Sequence, residues 1–153
     1  MPIGAPMLKP LPIALFVLLA ACSGQDPKIS LHDGWARETG QSDVAAAYLT
    51  IENKGAADKL IGVRSAAGEA TLHETTMNDG VMRMRAIDPA QGMVVPSNGK
   101  LALAPGGAHV MIMGLSQPLK AGEGFDLTLQ FARSKPKQVR IMVKPAAEGG
   151  MVH

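Results

Sequence analysis

Apolar and polar residues alternate with a period of two along most of the chain beyond residue 28, a pattern typical of half-buried β-strands. The clearest alternation lies at 125–131 (FDLTLQF), and 139–144 (VRIMVK) repeats it. Both segments predict strands with one face in a core and the other in solvent. Weaker alternation and short apolar runs predict further strands at 29–31, 35–37, 44–52, 60–65, 70–75, 82–87, 100–103 and 109–113.

Glycine-containing segments that suit tight turns separate these predicted strands, at 53–55, 78–80, 97–99 and 105–107. Asn-Gly and Asp-Gly sequences favour the positive φ angles of such reversals. No segment has the periodicity of a helix of three turns, and no internal repeat is visible. About seven to nine short strands in a chain of this length predict an all-β fold, a Greek-key β-sandwich, in a single domain.

The first 21 residues have the pattern of an export signal rather than of a folded domain. Lys9 gives a weakly basic start, and 11–21 is apolar but shorter than the about 20 residues that a membrane-spanning helix needs. Residues 19–22 (LAAC) resemble the lipobox of bacterial lipoproteins, which implies cleavage before Cys22 and acylation of its thiol and amino group. The alternative is an ordinary signal peptide followed by an incidental cysteine.

The lipobox interpretation predicts a periplasmic protein held in the membrane by a lipid anchor at Cys22. Ser23 follows the anchor and does not resemble the aspartate that retains many lipoproteins at the inner membrane, so we expect the outer membrane. Cys22 is the only cysteine, and the folded domain therefore has neither a thiol nor a disulfide. The predicted parts of the chain are a signal peptide at 1–21, a lipidated cysteine and tether at 22–28, a folded domain at 29–145 and a flexible tail at 146–153.

Charge gives no reason to expect nucleic acid as a partner. The formal net charge is +2, aromatic residues make up 3% of the chain, and no basic run is interleaved with aromatic residues. Methionine, with ten residues, is by contrast plentiful. Methionine often fills gaps in a core, so the positions of these residues matter more than their number.

Histidine and methionine concentrate in three segments. In the last of them, strand alternation puts His109, Met111 and Met113 on one face and leaves the other face for the core. The predicted turn at 78–80 folds the second segment back on the first, so that His73 and Met84 can approach each other across a hairpin. The three segments are 72–77 (LHETTM), 81–85 (VMRMR) and 109–113 (HVMIM).

A mixture of imidazole and thioether ligands suits copper, particularly Cu(I), because thioether sulfur is a soft donor. Zinc sites instead use cysteine, histidine and carboxylate. Outside the cytoplasm a thioether has the further advantage that it cannot be lost to disulfide formation. The sequence therefore predicts a Cu(I) site formed by His73, Met84, His109 and Met111.

These residues resemble the metal motif of the periplasmic copper chaperones of the PCuAC type. The motif is His73, ten residues, Met84, and then His109-x-Met111, and the resemblance extends over about 35–144, including 46–53 (AAYLTIEN) and 105–107 (PGG) ahead of the second histidine. This chain has 24 residues between Met84 and His109, whereas the family pattern usually has 21. The extra residues are expected in the loop at 89–96 or in the turn at 97–99, where insertions are tolerated.

The resemblance implies a cupredoxin-like β-sandwich that binds Cu(I) with two histidines and two methionines and is not an enzyme. It further implies delivery of copper to the CuA centre in subunit II of cytochrome c oxidase, either directly or through a thioredoxin-like Sco protein. Copper storage or tolerance without delivery to an oxidase is the alternative. The copper donor and the oligomeric state stay open.

The sequence leaves the roles of several other residues open. Met77, Met82 and Met113 can be additional sulfur donors around the site or filler in the core. Met151 and His153 resemble a short form of the metal-binding tails of some relatives, with Cu(II) as the candidate ion. His32 lies outside the motif, and we expect it at the surface.

Three other classes of protein fit the sequence less well. A blue-copper electron carrier needs a cysteine thiolate beside two histidines, but the only cysteine lies in the lipobox. A hydrolase could use His73 with Glu74 or Asp79, yet adjacent strand residues face opposite ways and no nucleophile motif supports it. A purely structural lipoprotein would leave the clustering of histidine and methionine unexplained.

Overall fold

The computed structural model describes residues 25–146 together with the isolated Pro2 and Gly4. Residues 25–146 contain no helix that could span a membrane. Strands follow one another along the described chain, joined by turns and short loops. They are β1 (Ile29–Arg37), β2 (Ala45–Asn53), β3 (Asp58–Ser65), β4 (Glu69–Asn78), β5 (Val81–Ala86), β6 (Met93–Val95), β7 (Gly99–Leu103), β8 (Ala108–Met113), β9 (Gly124–Phe131) and β10 (Lys137–Lys144).

Hydrogen bonds join the strands in the order β5-β4-β8-β2-β1-β10-β9-β3-β6. β8 pairs with residues 45–47 of β2, and β7 pairs with residues 49–53 of the same strand. All pairs are antiparallel except β1 with β10. The sheet folds back on itself, since β3 packs against β4 and β6 against β7. This confirms the predicted all-β, sandwich-type fold. The fully buried core side chains include Ile51, Leu60, Val110, Ile112, Leu127, Leu129 and Ile141.

Alternation is most regular in β2, where every second residue from Ala45 to Asn53 is buried. The inward side chains join the core, and the outward ones form an open face on β1, β2, β8, β4 and β5. β1 joins the segments that the sequence predicted separately at 29–31 and 35–37. Its register with β2 shifts between His32 and Trp35, and Asp33 has a φ of 54°, so a bulge interrupts the alternation that one strand would show.

The prediction of a loop throughout 89–96 is wrong, because this segment contains β6. Val95 is fully buried and pairs with Asp58 on β3. Three strand residues between Gly92 and Pro96 are too few to show a period of two, so the sequence gives no signal. The loop that remains at 87–92 is short and turns at Gly92, which has a φ of 62°.

Residues 26–28, within the predicted tether at 22–28, are hydrogen-bonded to the turn after β2. The Lys28 N–H donates to Asn53 Oδ1 at 3.0 Å, and its carbonyl accepts from the Lys54 N–H. The Asp26 carbonyl accepts from the Ala56 N–H. The predicted signal peptide, Cys22 and the tail residues 147–153 lie outside the described residues.

The buried carboxylate of Asp58 links the start of β3 to the loop that follows β9. Its oxygens accept hydrogen bonds from the backbone N–H groups of Lys59, Arg133 and Ser134, at 2.7 to 2.9 Å. Burial by itself would raise the pKa of Asp58, but hydrogen bonds from Ser134, Lys59 and Arg133 outweigh it and hold the pKa below its usual value. The ionised form is therefore the one that the fold stabilises.

Replacing Asp58 by Asn is expected to lower the free energy of unfolding at pH 7 by about 1–3 kcal/mol. Because the folded-state pKa is lowered, the stabilisation by the carboxylate is fully present above about pH 4 and is lost as the pH falls through the folded pKa. Urea unfolding of both proteins at pH 7 and at pH 3 measures this. A stability difference that stays the same at the two pH values would contradict the role given to the carboxylate.

Candidate metal centre

The four predicted ligands lie on three neighbouring strands in the order β5-β4-β8. On β4, His73 is directly opposite His109 of β8, and Met111 is two residues further along that strand. Met84 of β5 is opposite Thr75, the next outward residue of β4 after His73. The register thus puts both methionines diagonally next to His73, at Cβ distances of about 7–8 Å or less.

All four side chains are on the same face of the sheet, away from the core. Their strand neighbours Leu72, Val110 and Ile112 are buried on the other face, with at most 5% of their surface exposed. Because successive side chains of a strand alternate, burial of these three residues directs His73, His109 and Met111 outward. Core packing of β4 and β8 therefore fixes the direction of the histidines and of Met111.

A tight hairpin turn sets the position of Met84. Asn78 pairs with Val81, and the two residues between them have positive φ angles, 51° at Asp79 and 76° at Gly80. Positive φ at both central residues is the signature of a type I′ turn, which matches the twist of the two strands. The predicted hairpin is confirmed, and it places Met84 on the same face as His73.

The two histidine rings stack across β4 and β8, with centroids 5.8 Å apart and planes inclined by 22°. His109 is 8% exposed, and its Nδ1 is 3.1 Å from the Gly107 carbonyl. A carbonyl can only accept, so in the neutral ring Nδ1 carries the proton and Nε2 has the lone pair. This arrangement is typical of metal-binding histidines, whose second nitrogen is held by a backbone carbonyl.

His73 has a ring nitrogen without a partner. Its Nε2 is 2.9 Å from Thr71 Oγ1, whereas its Nδ1 is buried and makes no hydrogen bond to any described residue. Burial, together with the nearby His109, lowers the pKa of His73, which favours the neutral ring that a metal ion requires. An unpaired buried nitrogen costs about 1–3 kcal/mol, and a bound metal ion would remove that cost.

The methionines bring the site to the protein surface. Met84 is 55% exposed, and Met111 is partly buried beside His109. In residues 25–146 no three His, Cys, Asp or Glu side chains are grouped as metal ligands, so a site of three or four protein ligands around the two histidines would need the methionine sulfurs. Two imidazoles and two thioethers form a soft, neutral donor set, which fits Cu(I) better than zinc or a hard cation.

The structure excludes one of the two roles considered for Met77 and Met82. They are 65% and 61% exposed, so neither fills the core. Both belong to the same outward face as Met84, because Met77 pairs with Met82 and Thr75 pairs with Met84. Met113 is 36% exposed and also faces outward, opposite Glu69.

The acidic side chains considered for a hydrolase, and that of the histidine of β1, lie apart from the histidine pair. Glu74 projects from the opposite face of β4 to His73 and binds Arg85 at 2.9 Å. Asp79 is in the hairpin turn. His32 is exposed on β1, 3.2 Å from Glu52, as expected for a surface residue. The hydrolase alternative required His73 to work with Glu74 or Asp79, but Glu74 lies on the other face of β4 and Asp79 lies in the turn.

A row of aromatic rings continues from the histidines across the sheet, and the sequence did not assign it to the site. The Tyr48 ring is 6.5 Å from His109, and the Trp35 ring is 4.7 Å from Tyr48. Burial raises the pKa of Tyr48, and the charge of Arg37 partly offsets this effect. Alternation along β2 could have shown that Tyr48 faces outward. The sequence does not show that β2 lies beside β8, so it could not place Tyr48 next to His109.

The sequence is similar to those of known lipoproteins. Residues 29–143 match the family described as "Putative lipoprotein LpqE-like". A protein of Leifsonia xyli subsp. xyli (strain CTCB07), named "Putative lipoprotein Lxx21020", is 33% identical over 118 residues. That match covers 76% of this chain and 69% of the relative. Both descriptions are of lipoproteins, a class anchored by lipid outside the cytoplasm.

Two solved structures show how far the fold is shared. The solution structure of CuI-DR1885 from Deinococcus radiodurans is 30% identical, with a TM-score of 0.57, and the match covers 78% of this chain and 82% of that one. The apo PCuAC domain from PmoF1 is 26% identical, with a TM-score of 0.63, and the match covers 77% and 94% of the two chains. Family match and structural similarity agree: the chain belongs to the LpqE-like lipoproteins, a family of the PCuAC type.

Proposed function

We propose that this protein binds one Cu(I) ion outside the cytoplasm through His73, Met84, His109 and Met111 and passes it to another protein. One observation carries the proposal: strand register brings two stacked histidines and two methionines to one open face, where His73 Nδ1 has no hydrogen-bond partner among residues 25–146. The copper(I)-loaded relative from Deinococcus radiodurans supports copper as the metal.

The donor atoms explain why such a site can release its cargo. The available nitrogens are His109 Nε2 and His73 Nδ1, and both thioethers are neutral. Replacing one of these ligands by a ligand of the recipient therefore leaves no buried charge unpaired. Met84 is the most exposed of the four, so an incoming ligand would approach the ion from the side of Met84.

The physiological role that we propose is copper supply to the CuA centre in subunit II of cytochrome c oxidase, directly or through a Sco-like protein. Thiolates bind Cu(I) more strongly than thioethers, so transfer to a recipient with cysteine ligands is downhill. The carrier has no turnover of its own. Copper storage or tolerance is the second candidate function, because it requires the same site.

The test is to mix the Cu(I)-loaded protein with a reduced apo fragment that contains the CuA site, or with a Sco-like domain. Copper is followed by NMR or measured after separation. We expect transfer to at least one recipient, and lower oxidase activity in a deletion strain when copper is scarce. Absence of transfer to both, together with normal oxidase activity in the copper-starved deletion strain, would favour storage or tolerance.

For the N-terminus we propose removal of residues 1–21 and a lipid anchor at Cys22, with the outer membrane as the location. Mass spectrometry of the mature protein should find an acylated Cys22 at the N-terminus. Replacing Cys22 by Ser should stop this processing. A wild-type protein that is recovered soluble and without acyl chains would refute the anchor and leave the ordinary signal peptide as the explanation.

A further inference from the structure

The outer half of the β4–β5 hairpin has a pair of exposed methionines. Met77 and Met82 are directly opposite each other across the two strands, next to the turn. About two thirds of each side chain is exposed, 65% and 61%. Met84 lies two residues further along β5 on the same face, so the three thioethers form one row that leads to His73.

Core packing does not account for these residues. Every residue of β5 is exposed, whichever face of the hairpin its side chain is on. The residues of β5 that alternate with Met82 and Met84 include two arginines, Arg83 and Arg85, as expected for a strand in water. Two large apolar side chains that face each other in solvent gain little from burial. The property that they share and that can explain the pair is the soft sulfur atom.

The spacing across the hairpin fits a metal ion held between two sulfurs. Residues directly opposite on antiparallel strands have Cβ atoms about 4.5–5.5 Å apart. Sulfur ligands lie about 2.3 Å from a first-row metal such as zinc, so two sulfurs on opposite sides of an ion of similar size are about 4.6 Å apart. Methionine has three rotatable bonds after the Cβ position is fixed, which lets both sulfurs turn towards one ion.

We propose that Met77 and Met82 form a second, weaker binding position for a soft monovalent ion, Cu(I) in the cell, at the open end of the hairpin. This inference rests on the proposed function of the neighbouring His/Met site. Met84 adjoins both positions and serves as the ligand that the ion keeps while it moves from one to the other. The move exchanges neutral ligands only, and the ion keeps its charge and oxidation state.

The experiment uses the full chain labelled with ¹³C at the methionine methyl groups and titrated with Ag(I), a redox-inert substitute for Cu(I). We expect the first equivalent to shift the methyl signals of Met84 and Met111, and later equivalents to shift those of Met77 and Met82. In the double variant Met77→Leu, Met82→Leu the first step should be unchanged. In this variant the second step is followed by the methyl signal of Met84, which adjoins the second position, and its affinity should fall by at least about 10-fold, the lower bound for losing even an indirect metal partner.

Met142→Leu is the matched control. Met142 is 46% exposed on the same face, but its register partners are Trp35 and Gly124, so it has no methionine opposite. Both binding steps should be unaffected in this variant. Competition with a Cu(I) chelator then tests whether the ion leaves the first site by way of Met77 and Met82. The double variant should release Cu(I) from the first site more slowly, while the affinity of that site stays the same.

The outcomes separate the two proposals. If Met84 and Met111 do not shift, the proposed function itself fails. If they shift while Met77 and Met82 stay unchanged at excess Ag(I), only the second position is refuted. Signals of Met77 and Met82 that respond to a recipient protein and not to Ag(I) also refute it, because they identify the pair as a protein contact.

Discussion

Replacing Met111 by Leu is expected to weaken Cu(I) binding by more than about 100-fold, which corresponds to about 2.7 kcal/mol of binding free energy. The exchange removes the sulfur but keeps a side chain of similar volume beside His109, so the fold should persist. Met84→Leu should have a comparable effect, since Met84 is diagonal to His73 on the other side. Competition titration against a Cu(I) chelator measures both.

Two controls accompany this result, one variant and one stability measurement. Met142→Leu removes an exposed thioether from the same sheet face without touching the histidine pair, and its affinity should equal that of the wild type. Thermal unfolding of all variants without metal should give similar midpoints, which excludes a loss of structure as the cause. Unchanged affinity in both Met111→Leu and Met84→Leu would remove these methionines from the metal site.

The second large effect concerns stability. Asn53 is fully buried at the end of β2. Its Oδ1 accepts from the N–H groups of Lys28 and Gly55, at 3.0 and 2.9 Å, and its Nδ2 donates to the Ala56 carbonyl at 2.7 Å. Asn53→Ala is expected to cost about 3 kcal/mol and to lower Tm by about 10 °C, because three backbone groups lose their partner.

Asn53→Asp keeps an acceptor for Lys28 and Gly55 but places a carboxylate oxygen against the Ala56 carbonyl in a buried position, so this variant should also be less stable than the wild type. Asn78→Ala is the matched control: Asn78 is exposed at the end of β4, and the change should stay within about 0.5 kcal/mol. Urea unfolding gives all three values. Equal losses in Asn53→Ala and Asn78→Ala would mean that the buried hydrogen bonds contribute nothing measurable.

Periodicity was enough to predict most of the strands, because their inner faces are core and their outer faces are polar. β9 is the clearest example, since Phe125, Leu127, Leu129 and Phe131 are all at least nine-tenths buried. β6 could not be found in this way. Its three residues are held by pairing with β3 and by the burial of Val95, and both depend on distant parts of the chain.

The sequence predicted the parts of the candidate site that depend on the alternation of side chains along a strand and on one turn. Alternation put His109 and Met111 on one face, and the glycine turn at 78–80 brought Met84 back beside β4. That β8 pairs directly with β4, so that His73 is opposite His109, is a long-range pairing that no local pattern encodes. The partners of the rings, Thr71 and the Gly107 carbonyl, are each two residues away from their histidine along the chain, so the period of two could have indicated Thr71.

The hairpin has a consequence for how sequences of this kind can change length. Of the ten residues between His73 and Met84, all except Asp79 and Gly80 are in paired strand positions. A single deletion in those strands moves Met84 to the opposite face of the sheet. Between Met84 and His109 the chain instead passes through loops at 87–92, 96–98 and 104–107. Evolution can lengthen those loops freely, so the first spacing of the motif identifies distant homologues and the second does not.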